Sequence, residues 1–217
     1  MSNAKPNPIS AYIGIAGAIG MATSDIILLS VPGAGWESDM SSFSSLAHVS
    51  LLRMTVGPLI GLVCSFFICF GFWYVSRKLT HLNERLSMIM FVSLTSVMFF
   101  GGAFHAGYYF AGHAQYIGDM ALYKAFISQL EIMSYLSVPG LLIGTGIYVY
   151  LTGFVPNGFP KWLKFANLLL IQGVILGAFM VLPAPIGGYI KPTFVNVASL
   201  IFFLVNLYTE ENLVKSI

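Results

Sequence analysis

The sequence predicts an all-α integral membrane protein, a six-transmembrane-helix bundle with a polar pocket in the outer half of the bilayer. Three observations carry this. Hydrophobic residues make up 57% of the 217 and charged residues 8%, against about 25% charged in soluble domains. Mean hydropathy is +0.84, so a water-exposed surface could not be covered with polar groups. The apolar residues also fall into six runs, at 10–32, 50–76, 86–112, 123–151, 162–182 and 192–208. A helix of roughly 17–25 such residues crosses a hydrocarbon core of about 30 Å.

Each run is bounded by charge or turn chemistry: Gly33 to Asp39, Arg77 to Arg85, His113 to Asp119, Pro156 to Lys161 and Pro183 to Lys191. The first run follows a segment with a single basic residue, Lys5, and reaches Pro32, too long and too weakly basic for a cleaved signal peptide, so it reads as a retained span. The second contains Cys64 and Cys69, whose spacing of five places them too far round a helix to bridge. Pro58 in the second run and Pro139 in the fourth each remove a backbone donor and predict a kink. Gly57 with Gly61, Gly140 with Gly144 and Gly173 with Gly177 make small-xxx-small pairs that let helices pack closely, and they leave a homo-oligomer open. No internal repeat and no second domain is expected; residues 1–217 read as one bundle.

Orientation follows from the basic residues. Lys5, Arg77, Lys78, Arg85, Lys161, Lys164 and Lys215 fall on one side, and Arg53, Lys124 and Lys191 on the other. Seven against three places both termini in the cytoplasm, and a bacterial cytoplasmic membrane is the expected location. A net charge of +2, spread between apolar runs, gives no footprint for nucleic acid. No phosphate-cradling glycine loop, nucleophile elbow or haem-attachment cysteine pair occurs.

Ionisable residues inside spans are costly and mark functional sites by default. Asp25 lies about seven residues, on the order of 10 Å, below the outer edge of the first span. Arg53, His105 and Glu131 reach the outer half from the second, third and fourth runs, and Asn196 from the sixth, with Gln172 nearer mid-membrane. With neutral histidine, Asp25, Glu131 and Arg53 sum to minus one, so one acid needs a proton, an imidazolium or a cationic partner. The expected core of the site is Glu131 coupled to His105, with Asp25 as a second acid and Arg53 free to pair with either carboxylate or to snorkel to headgroups.

His105, Tyr109 and His113 recur every four residues and predict a polar-aromatic stripe. Tyr108, Tyr116 and Trp36 lie near the same boundary, as an interfacial belt or as pocket walls. No cofactor is predicted. Zinc on His48, His105 and His113 is the weaker alternative, because no two histidines sit at ligand spacing on one helix.

The Ser24-Asp25 pair, Arg53, His105 and the string Phe159-Pro160-Lys161-Trp162 resemble an uncharacterised bacterial family of six-span membrane proteins over most of the chain. More remotely, a compact bundle with intramembrane acids and aromatic residues is similar to the emopamil-binding and sigma-2 receptor group, whose members bind or isomerise sterol-like molecules; that likeness implies roles for Asp25, Glu131 and Trp36. Ser24, Asp25, His48, His105 and His113 resemble the serine, aspartate and three histidines of alkaline-ceramidase-like zinc hydrolases, although this chain lacks that family's close histidine pair.

The expected function is a membrane-embedded enzyme or binding protein that takes a hydrophobic, lipid-like molecule sideways from the outer leaflet into an acid–base pocket. Glu131, Asp25 and His105 would move protons, with Arg53, Tyr108, Tyr109, Asn196, Gln172 and Trp36 lining the pocket. The alternatives are a small proton-coupled transporter and a structural subunit of a membrane complex. Expected partners are membrane lipid and a small hydrophobic ligand.

Overall fold

The structure, a computed structural model, describes residues 6–30, 49–183, 186–187 and 190–215, with no side chains beyond 209. Six long helices make up the described chain: α1 (Pro8–Leu29), α2 (Leu51–Leu79), α3 (Glu84–Tyr116), α4 (Met120–Gly153), α5 (Leu168–Met180) and α6 (Phe194–Lys215). Short 3₁₀ turns, Lys161–Phe165 and Lys191–Thr193, precede the last two.

The helix starts are written locally. Asn7, Ser50, Asn83, Asp119 and Asn167 each stand before a first turn and accept a backbone N–H from it, satisfying donors that no helical carbonyl can reach. Pro8 occupies the first position of α1, where its missing N–H is not needed. The turn from α3 to α4 is only three residues long and passes through Gly118 at φ +78°, a conformation that a side chain would strain.

Five stretches are long and apolar enough to cross a membrane: α1, α2, α3, α4 and Lys191–Thr209. The fifth apolar run departs from its expected single span. Asn167 divides it, donating to the Lys164 carbonyl at 2.9 Å to close the 3₁₀ turn and accepting from Leu170 N at 3.0 Å to open α5. The 13 residues of α5 rise only about 20 Å. The segment nevertheless carries the chain from one end of the bundle to the other. Gly153, at the end of α4, meets Lys164, whereas α6 begins beside Asp25, near the far end of α1.

Neighbouring helices run antiparallel, and glycines set the closest seam. Along α1, Gly14 faces Gly71, Gly17 faces Phe67 and Ile68, Gly20 faces Cys64, and Leu28 faces Gly57. A Cβ built on Gly17 would lie 2.7 Å from the Ile68 nitrogen and 2.9 Å from the Phe67 carbonyl carbon, so the two backbones all but touch. The same device seats α4 on α3, where Gly140 meets Ser93 and Ser96 and Gly144 meets Leu94. A Cβ on Gly173 or Gly177 of α5 would meet nothing within 4 Å among the described residues. Around the bundle the order is α4, α3, α2, α1, α6 and α5, with α4 packed heavily on α3 and only lightly on α5.

Glycines in the seam and on α5 should therefore respond oppositely to one added methyl. Gly17→Ala is expected to lose about 1–3 kcal/mol by overpacking, whereas Gly173→Ala should be neutral or gain up to about 1 kcal/mol of helix propensity. Reversible unfolding of both variants in detergent checks this; equal effects would contradict the packing just described.

Candidate functional site

Asp25 and His105 meet near one end of the bundle, deep between helices. Asp25 is 4% and His105 6% exposed. His105 Nε2 lies 3.5 Å from Asp25 Oδ1, and Asn196 Nδ2 donates to Asp25 Oδ2 at 2.6 Å. On the other side of the ring, His105 Nδ1 is 3.5 Å from Ser24 Oγ, which itself donates to the Gly57 carbonyl at 2.6 Å. Four helices contribute: α1 supplies Ser24 and Asp25, α2 the carbonyl, α3 the imidazole and α6 the amide. Gly61 makes the meeting sterically allowed, since a Cβ there would stand 2.5 Å from His105 Nδ1 and 2.7 Å from Ser24 Oγ.

The chain of donors limits where protons sit. The single Ser24 hydroxyl hydrogen goes to the Gly57 carbonyl, which has no hydrogen to offer, so Ser24 Oγ can face Nδ1 only as an acceptor. Nδ1 is then the protonated nitrogen. Two arrangements satisfy the other side: a protonated Asp25 donating to Nε2, or an imidazolium donating to a carboxylate. They differ by the movement of one proton along a 3.5 Å line.

This pair stands on the wall of a cavity of about 520 Å³. Its walls come from α1 (Met21, Asp25, Leu29), α3 (Met98, Gly101, Phe104, His105 and Tyr108 among others), α4 (Glu131, Ser134, Tyr135) and the start of α6 with the turn before it (Pro192, Phe194, Asn196). The α3 positions 101, 104, 105 and 108 follow the i, i+3, i+4, i+7 spacing of a single helical face. Tyr108 is buried there, edge-on to Phe104 at 4.9 Å and to His105 at 6.3 Å. Ser24 is fully buried behind the imidazole and absent from the wall, so despite the serine, histidine and aspartate in sequence of contact, its hydroxyl is not presented as a nucleophile.

The residues singled out in the sequence divide accordingly. Asp25, His105, Glu131, Tyr108 and Asn196 line one cavity. The pairing inside it differs from the expected one: Asp25, not Glu131, is the acid within ion-pair distance of His105, and Glu131 is exposed on the α4 wall. The stripe at four-residue intervals also divides. Tyr109 stacks on His113, with ring centres 6.0 Å apart and planes 10° from parallel, and neither lines the cavity. Gln172, half-buried on α5, does not line it either. Trp36 and His48 lie outside the described residues.

Arg53 pairs with neither acid. Its Nε donates to the Ile27 carbonyl at 2.5 Å, and its Nη2 to Ser30 at 2.6 Å and to Ile26 at 3.5 Å. These carbonyls belong to the last turn of α1 and the residue after it, where Ile26 O also accepts from Ser30 N at 3.2 Å and the dipole favours a cation. Arg53 thus caps α1 from a neighbouring helix and holds the end of the span that carries Asp25.

Two features escaped the sequence reading. Ser24 is visible there as the neighbour of Asp25 and through the ceramidase-like resemblance; its role as a hydrogen-bond partner of the His105 ring requires α1, α2 and α3 in register. Lys78, read as one of several basic flanking residues, is 4% exposed and donates from Nζ to the Asn206 carbonyl and to Thr209 Oγ1, both at 2.6 Å. Tyr148 donates to Asn206 Oδ1 at 3.2 Å, so the bundle end remote from the cavity has a polar core as well.

Among the described residues no group of three or more histidine, cysteine, aspartate or glutamate side chains is placed to hold a metal ion. No family model, no curated protein and no solved structure matches the chain.

The donor chain makes a spectroscopic prediction. With ¹⁵N-labelled histidine, the His105 Nδ1 is expected to be protonated in wild type whichever arrangement holds, and Ser24→Ala should let the opposite tautomer appear. A neutral Nε2–H imidazole in the wild-type protein would contradict the assignment.

Proposed function

We propose that the chain is a membrane-embedded binding protein or enzyme that takes up a hydrophobic, lipid-like molecule and exchanges a proton with its polar end at the Asp25–His105 pair. The observation that carries this is the position of the pair: a buried carboxyl and an imidazole, one proton apart, on the wall of a largely apolar cavity. An aqueous substrate would not need walls built from Met21, Leu29, Met98, Phe104 and Phe194. The light packing of α4 against α5 supports lateral access from the bilayer.

In this reading Asp25 and His105 act together as acid and base. Asn196 holds Asp25 Oδ2 and leaves Oδ1 toward the imidazole; Ser24 fixes the ring. Glu131, on the α4 wall, is the second group able to meet a polar or charged end of the ligand. Tyr108 and Phe104 supply flat contact surface. Arg53 has no part in the chemistry, and its role is to hold the end of α1. Placing the cavity in the outer leaflet, with the termini in the cytoplasm of a bacterium, follows from the seven-to-three division of basic residues.

A second reading, a proton-coupled carrier, draws on the buried Lys78, Asn206 and Tyr148 cluster as a polar step toward the other side. Asn196 and Asn206 are ten positions apart on α6, about 15 Å. Phe72, Phe202 and Phe203 pack across that interval with ring centres 5.3–6.4 Å apart. That aromatic layer favours a one-sided cavity over a path.

Native mass spectrometry of protein released from detergent tests the proposal. Wild type and Arg53→Gln are expected to retain a small hydrophobic adduct, and Asp25→Asn to lose about tenfold or more in occupancy, the scale of one hydrogen bond to a charged group. A bare mass throughout, or an adduct indifferent to Asp25→Asn and Glu131→Gln, would overturn it. Counterflow of a solute in sealed vesicles would instead favour the carrier.

A further inference from the structure

At the end of the bundle remote from the cavity, basic side chains sit among exposed aromatic rings. The 3₁₀ turn Lys161–Phe165 is anchored by Leu163, which is fully buried, while Trp162 and Phe165 are 48% and 60% exposed. Lys164 Nζ lies 5.0 Å from the Phe165 ring centre and 5.6 Å from that of Phe154, itself 70% exposed. Lys161 is exposed beside them. No carboxylate among the described residues stands within ion-pair distance of either lysine; the only such pair there is His105 with Asp25.

The turn is held in place before any ligand arrives. Asn157 donates to the Leu151 and Val155 carbonyls at 2.9 and 2.7 Å and accepts from Phe159 N at 2.9 Å, fixing the loop that leads into it. The Phe159 ring lies between Lys78, 5.0 Å away, and His81, 5.9 Å away, and so ties the loop to the turn between α2 and α3. Arg77, over the Trp73 ring at 5.6 Å, and exposed Arg85 belong to the same end, where Glu84 is the sole described acidic side chain.

We propose that this turn seats the headgroup of an anionic phospholipid, with Lys161 and Lys164 taking the phosphate and Trp162, Phe154 and Phe165 lying against the glycerol and upper acyl chains. The chemistry argues for lipid as the occupant. Aromatic rings and lysines together at the end of apolar spans match the polar-apolar boundary of a bilayer. A juxtamembrane lysine gains from an anionic surface. The rings around Lys164 hold a cation by their faces, and the lysine itself is half-buried. This seat is independent of the cavity and of the function proposed for it.

The test uses the full chain in mixed micelles containing phosphatidylglycerol and phosphatidylcholine of identical acyl chains, read by native mass spectrometry. Wild type should retain phosphatidylglycerol in preference, and Lys161→Gln/Lys164→Gln should lower that retention by about five- to twentyfold, at roughly fivefold per lysine. Lys124→Gln, at the opposite end, should leave it unchanged. Equal retention by wild type and the double variant, or an equal loss in Lys124→Gln, would overturn the assignment. If the double variant unfolds, Lys161→Gln alone should still show the smaller loss. Trp162 fluorescence in a Trp36→Phe/Trp73→Phe background should be quenched more by bromine-labelled phosphatidylglycerol than by the phosphatidylcholine counterpart; equal quenching would also overturn it.

Discussion

The backbone-to-backbone seam between α1 and α2 is the constraint on which the rest of the structure depends. In a bilayer, apolar side chains gain little from leaving lipid for one another, so helices associate through close fit and hydrogen bonds. Gly14, Gly17, Gly20, Gly57, Gly61 and Gly71 provide that fit by having nothing in the way. The consequence reaches well past stability. With α1 pressed onto α2, the Ser24 hydroxyl reaches the Gly57 carbonyl, and the missing side chain at Gly61 leaves room for the His105 ring beside it.

The polar groups buried by this packing are mutually satisfied. Asp25 has Asn196 and His105; His105 has Asp25 and Ser24; Arg53 has three carbonyls at the end of α1. A buried charge left without partners would be strongly destabilising, and here each group is answered from a different helix, so the network also fixes register. What sets the Asp25–His105 pair apart from ordinary structural networks is that one of its sides faces a cavity. Arg53, by contrast, donates to backbone carbonyls among the described residues.

The two ends of the molecule are built differently. At the cavity end, the α4 stretch from Glu131 to Pro139 has no buried residue, and α4 packs only lightly on α5. At the other end, Lys78, Asn206, Thr209 and Tyr148 bind α2, α4 and α6 together, with the rings of Phe72, Phe202 and Phe203 packed above them.

Hydropathy marked where the chain is helical, because each span must satisfy its own backbone in lipid, and five helix starts carry a local cap in Asn7, Ser50, Asn83, Asp119 or Asn167, the last of which divides the fifth run. The intramembrane positions of Asp25, His105 and Glu131 were legible for the same reason: charge stands out in an apolar run. Depth can be counted along a helix, but rotation about its axis and the identity of its neighbour cannot. Hence only the tertiary structure decided that Asp25 and not Glu131 meets His105, that Arg53 caps α1, that Tyr108 turns inward while Tyr109 stacks on His113, and that Lys78 is buried. The Asp25–His105 meeting in particular depends on which helices lie together, and there Gly61 makes room for a ring dozens of residues away in the chain.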